Sequence, residues 1–182
     1  IQFKNSRFKE YLVENFDINS GMYMPFRSKN KVVVSTKESA GAILSLIVGV
    51  ENEFVKRQTA LNRISKVAFF LLKSQTKNGF FASYYDARKG IPEYRNDKAI
   101  YDVEATGSII EALLIAREYF NENNEAESDL RKRITQLYQQ VNWTAIKHDE
   151  VFLKSKLSLV DEKNDKDKPL SGIENAINTY LL

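Results

Sequence analysis

The chain has 182 residues, 43% hydrophobic and 28% charged, which gives one domain with a real core and excludes a disordered or low-complexity segment. The net charge of +3 comes from Lys and Arg scattered along the sequence, which argues against the basic stripe of a nucleic-acid binder. There is no Cys and a single His, His148, so disulfides, thiolate metal sites and His-rich zinc sites are excluded.

The sequence calls for no cofactor and no metal, with a carboxylate calcium site left open. The longest apolar run, Ala40 to Val50, is too short to span a bilayer and is interrupted by Ser45. The chain begins at Ile1 with no basic-then-apolar leader, so a signal peptide already removed stays open.

In chain order, Phe8, Tyr11, Leu12 and Phe16 sit at helical spacing and predict a helix over Gln2 to Phe16, ended by Asn19-Ser20-Gly21. Met22 to Ser35 is a loop with a short extended piece at Val32-Val33-Val34. Ser35-Thr36-Lys37-Glu38 fits a capping box and opens a helix near Thr36. Through Val50 that helix is apolar nearly all round, which predicts burial on most sides.

A third helix, about Val55 to Ser74, carries a single apolar stripe, with Lys56, Arg57, Arg63 and Lys66 expected mostly on the wet side. Thr76 to Ile100 is a long aromatic connection with a small hairpin around Phe81, Ser83 and Tyr85. The fourth helix, about Val103 to Phe120, is again mostly apolar. The fifth, about Glu125 to Val141, is amphipathic and carries the i,i+4 pairs Glu127/Arg131 and Asp129/Arg133. An alternating-charge loop at Asp161 to Lys168 precedes a last helix from about Ser171.

Apolar helices thus alternate with amphipathic ones. An inner helix touches neighbours on both flanks and a layer behind it, whereas an outer helix touches only what lies inside it. The expected fold is therefore all-α: one domain over residues 1–182, a partial α/α barrel of about six helices with a small β-hairpin. No fixed-period repeat supports a solenoid. Six helices close only half of a twelve-helix ring. A homodimer, or a missing C-terminal half, is the expected cover for the apolar face that remains.

Five segments in series carry a resemblance. Asn19-Ser20-Gly21-Met22 resembles an "(N/P)xSGL" loop, and Ala42 to Phe54 is similar to "GIMAIIVGVERGF". Gly79-Phe80-Phe81 with Asp86 to Gly90 resembles "GFFPHFxDxxTGK". Thr106 to Phe120 with Arg131 to Trp143 resembles "ETxxLxxGLLxAREYF…LRxxIxxLYxxVDW", and Gly172 to Leu182 is similar to "GYNEAxxxYxLA". The pattern is that of glucoamylase-like α/α-toroid glycan hydrolases, which are longer and mostly periplasmic or secreted.

The resemblance implies an oligosaccharide partner and a cleft lined by the N-termini of inner helices. It also implies the two carboxylates that glycoside hydrolysis requires. Asp102 aligns with an acid of the pattern. The acid expected next to Thr106 falls on Ala105, with Glu104 one place early. Glu174 is likewise one place early, and the acid after "SGL" is replaced by Phe26 beside Arg27.

The candidate catalytic acids are therefore Asp102, Glu104 and Glu174. Arg27, Phe81, Tyr84, Tyr85 and Tyr94 are the candidate sugar contacts, the aromatics as a stacking platform. Each has a plainer reading. Asp102 suits an N-cap, Glu104 a first-turn carboxylate, Glu174 a cap-region residue and the aromatics loop packing. Trp143 is expected in the core, and Glu111 beside an Arg or Lys. The displaced acids keep a second function open: a non-catalytic helical module that binds carbohydrate or protein.

Overall fold

The computed structural model of the protein describes residues 15–93, 100–146 and 156–158. In order these form β1 (Phe26–Arg27), β2 (Val32–Ser35), α1 (Thr36–Glu51), α2 (Arg57–Ser74), β3 (Tyr84–Asp86), β4 (Ile91–Pro92), β5 (Ile100–Asp102), α3 (Val103–Tyr119), α4 (Glu125–Gln140), a 3-10 turn (Trp143–Ile146) and β6 (Lys156–Ser158). The expected last helix and the first 14 residues lie outside this range. Asn15 and Phe16 are not helical, since Phe16 bridges to Tyr23.

The helix starts follow local chemistry. Ser35 Oγ accepts from Glu38 N, Asp102 Oδ1 from Ala105 N at 3.0 Å, and Asn124 Oδ1 from Glu127 N at 3.0 Å. Each cap satisfies a backbone donor that has no partner within its helix.

The helices form two layers. α1 packs chiefly on α3, and α2 on α4. The first turns of α1 and α3 meet through the Lys37–Glu104 ion pair. Their last turns meet where the Tyr119 hydroxyl donates to Glu51 at 2.7 Å. The two inner helices therefore run parallel. α2 and α4 are joined the same way, by Arg57 with Glu127 at their starts and by Gln75 Nε2 donating to Leu137 O near their ends. Between the layers lie Ile43, Leu46, Ile64, Leu71, Ile109, Ile110, Leu113, Leu130 and Ile134, all essentially solvent-free.

The chain is helical but not all-α. β1 to β4 form an antiparallel sheet in that order, with Val34 opposite Tyr85 and Asp86 opposite Ile91; β5 pairs with β6. β3 and β4 are the expected hairpin. Of the strands that pair with it, β2 takes in the extended piece expected at Val32-Val33-Val34, whereas β1 had no signal: it is two residues long, too short for a readable alternation. The pairing was not legible either, since β2 finds its partner in the hairpin about 50 residues away.

Two side chains depart from expectation. Arg63 is buried, its Nε donating to Gly21 O at 3.0 Å and its guanidinium 4.1 Å from the Phe16 ring centroid. Glu111 is solvent-exposed, so it has no need of a buried cation. The inner helices are open on one side, where Leu44, Val48 and Ile115 are 38%, 57% and 44% exposed.

Two motif glycines are fixed by packing. Gly79 has φ +83, and a Cβ there would lie 2.1 Å from Gln140 O. Gly21 has φ +72, and a Cβ there would lie 2.5 Å from Arg63 O. Gly90 has φ +67, but its nearest neighbour would be Ser74 Oγ at 4.0 Å. Left-handed backbone alone costs an alanine about 1–2 kcal/mol, and a backbone collision adds about 1–3 kcal/mol. Gly79→Ala is thus expected to lose about 3 kcal/mol and Gly90→Ala about 1 kcal/mol in urea denaturation.

The Arg57–Glu127 pair is bidentate, at 2.9 and 3.0 Å, and Glu127 also accepts from Glu122 N at 2.7 Å. Burial pushes the Glu127 carboxyl up, but the Arg57 and backbone hydrogen bonds outweigh it and hold the group below its usual 4.5. A depressed carboxyl contributes stability that is present above the unfolded value and is lost as pH falls through the folded one. Stability is therefore expected to fall below about pH 4.5, and Glu127→Gln is expected to flatten that acid limb in pH-dependent unfolding. Arg57→Ala, which strands the buried carboxylate, is expected to cost about 3 kcal/mol.

Candidate functional site

The sheet, β5 and the N-termini of α1 and α3 meet at one end of the helix layers. The segment Phe81-Ala82-Ser83 passes between the two helix starts and is tied to both. On the α1 side, Thr36 Oγ1 donates to Ala82 O at 2.6 Å and Thr36 N to Ser83 O at 3.0 Å. On the α3 side, Phe81 N donates to Thr106 Oγ1 at 2.9 Å and Asp102 N donates to Phe81 O at 2.9 Å. Ala82 also bridges to Tyr101.

Asp102 sits at this junction as the N-cap of α3. One carboxylate oxygen, Oδ1, accepts from Ala105 N, and the other, Oδ2, accepts from Ser83 Oγ at 2.7 Å. Glu104, in the first turn, ion-pairs with Lys37 of α1. The structure thus brings Asp102, Glu104, Lys37 and Ser83 together between two inner-helix starts, where partial positive charge from both helices gathers.

Two expected stacking residues are elsewhere. Phe81 and Tyr85 are fully buried, so neither offers a ring face to a sugar. Tyr85 is a core residue whose hydroxyl accepts from Ala82 N at 2.9 Å, and burial raises its phenol well above the usual value. Its ring meets Phe70 edge-on at 5.6 Å. Tyr84, one residue earlier in β3, is part-exposed, and Arg27 in β1 is exposed. Tyr94, His148 and Glu174 lie outside the described residues. Trp143 is in the core as expected, edge-on to Phe80 at 5.8 Å.

Sequence reasoning named Ser83, Thr36, Thr106 and Lys37 but did not assign them to the site. A Ser or Thr at a helix start reads as a cap, and Ser83 finds its partner 19 residues away. Among the described residues no group of three His, Cys, Asp or Glu is placed to hold a metal ion, and no helix is long and apolar enough to cross a membrane. Surface hollows of about 340 and 720 Å³ open on α4, and neither is lined by Asp102 or Glu104.

Known proteins resemble this chain in sequence and fold. The chain is 27% identical over 136 residues to an exo β-1,2-glucooligosaccharide sophorohydrolase of Parabacteroides distasonis; the match takes in 74% of this chain and 19% of that protein. It superposes on an endo-β-1,2-glucanase from Chitinophaga pinensis, solved with sophorotriose and glucose, with TM-score 0.83 and 25% identity over 99% of this chain and 45% of that one. A glucoamylase-like protein of Bacteroides uniformis matches at TM-score 0.76 and 23% identity, over 87% of this chain and 39% of that one, and shares the fold.

The chain is similar to glucoamylase-like proteins, as the motifs implied, and also to β-1,2-glucanases. It spans less than half the length of each. No family model matches it.

Thr106 decides whether the stitched segment keeps its partners. Thr106→Val leaves the Phe81 N–H buried without an acceptor and is expected to cost about 1–3 kcal/mol, while Thr106→Ser retains most of the stability. Thermal unfolding, with amide exchange at Phe81, reads both.

Proposed function

We propose that this protein hydrolyses glucan-type oligosaccharides by carboxylate acid/base chemistry, with β-1,2-linked chains the first substrates to test. The observation that carries the reading is Asp102, a carboxylate at the meeting point of two inner-helix starts, in a chain similar to two β-1,2-glucan hydrolases. A glycosidase needs an acid that protonates the leaving oxygen and a second carboxylate that activates water or attacks the sugar, roughly 5–10 Å apart.

Asp102 serves as one of that pair. Glu104 is the secondary candidate on the same side, since an acid two residues along the same helix start does not face Asp102 across a bond. The opposing acid comes from another part of the chain, and Glu174 is the first residue to test. Tyr84 and Arg27 contact the sugar from the sheet. Export to the periplasm or beyond suits an enzyme of external glucans.

One observation favours a second reading, a binding module without turnover: Asp102 already uses both oxygens and Glu104 is ion-paired with Lys37. Hydrolysis of β-1,2-gluco-oligosaccharides, followed by product chromatography, separates the two. Turnover is expected, and Asp102→Asn is expected to lower kcat by about 10²-fold or more. Calorimetric binding with no turnover would favour the module, and no binding to any glucan would sink both readings.

A further inference from the structure

We infer that Ser83 is a positioning residue for Asp102, an inference that rests on the hydrolase reading above. The N-cap bond from Ala105 N engages Oδ1 alone. With that bond only, the carboxylate plane remains loose, because the torsion that turns it is broad. The 2.7 Å bond from Ser83 Oγ to Oδ2 adds a second anchor on the other oxygen and fixes the plane.

Ser83 is itself tied in place by backbone hydrogen bonds. Its carbonyl accepts from Thr36 N, and the carbonyl of its neighbour Ala82 accepts from Thr36 Oγ1. The neighbouring Ala82 N–H is taken by the Tyr85 hydroxyl, in a ring wholly within the core. The orientation of the acid is thus referred back to α1 and to the buried hairpin, not only to the helix that carries it. A hydroxyl at 83 is required. A methyl there leaves the backbone ties intact and removes the anchor alone.

The test compares wild type, Ser83→Ala, Ser83→Thr and Asp102→Asn on sophorotriose and longer β-1,2-gluco-oligosaccharides. Ser83→Ala is expected to lower kcat by about 10-fold or more while KM stays within about twofold, since a misplaced acid weakens the transition state more than the bound substrate. Ser83→Thr, which keeps the hydroxyl, is expected to recover most of the rate. A purely structural role would instead lower the melting temperature and move kcat and KM together.

Should Ser83→Ala fail to fold, Ser83→Cys replaces the hydroxyl with a similar shape and a much weaker donor, and is expected to show the same kcat loss. Wild-type kcat in Ser83→Ala, or equal loss in the Ala and Thr variants, overturns the inference. Turnover that survives Asp102→Asn overturns it too while leaving the hydrolase reading in place. Absence of turnover in the wild type removes both.

Discussion

The segment Phe81-Ala82-Ser83 is the tie on which the end of the molecule that holds the candidate site depends. Three consecutive residues satisfy donors and acceptors from the starts of two parallel inner helices. Phe81 and Ala82 do so from a buried position, where an unmade hydrogen bond costs about 1–3 kcal/mol, and Ser83 from a half-buried one. Because Thr36 and Thr106 hold the same short segment, the two helix starts cannot slide past one another. The spacing between Asp102 and the first turn of α1 is set by this tie, and the Lys37–Glu104 pair sits across a gap already fixed.

The opposite end is held by different chemistry. There Arg57 joins α2 to the buried Glu127 of α4 and lies 4.9 Å from the Phe120 ring centroid. Glu127 caps nothing itself. Its carboxylate accepts from Arg57 and the Glu122 N–H, while its own N–H donates to the Asn124 cap. A buried carboxylate stays charged only when so surrounded. One end thus uses a buried ion pair for cohesion, while the other, beside the more exposed Lys37–Glu104 pair, directs hydrogen bonds from uncharged donors to both oxygens of Asp102.

Much of this was readable beforehand. The positions of α1, α3 and α4 followed from caps and periodicity to within a residue or two, since those signals are local. The site was half legible. Asp102 stands out as an acid at the start of an apolar helix, but a helix cap and a catalytic acid look identical there in sequence. Phe81 and Tyr85 misled because an aromatic in a polar loop reads as exposed. Here the hairpin folds inward, so that Tyr85 fills the space between β2 and α2.

Arg63 misled for the converse reason. A helical Arg is normally wet, but the Asn19 to Met22 turn lies against α2 and supplies Gly21 O as its acceptor.

Composition, helix periodicity and capping residues by themselves determined a helical chain with alternating inner and outer elements, because each depends on neighbours within a few residues. The alternation of apolar and amphipathic helices is visible for that reason, and so is the glycine that must end a helix or turn a loop. Only the tertiary structure decided that the inner pair runs parallel, that a four-stranded sheet closes their starts, and that Ser83 reaches Asp102. Those facts rest on contacts between residues 19 to about 70 positions apart, and the sequence carries no local trace of which of many equal partners will meet.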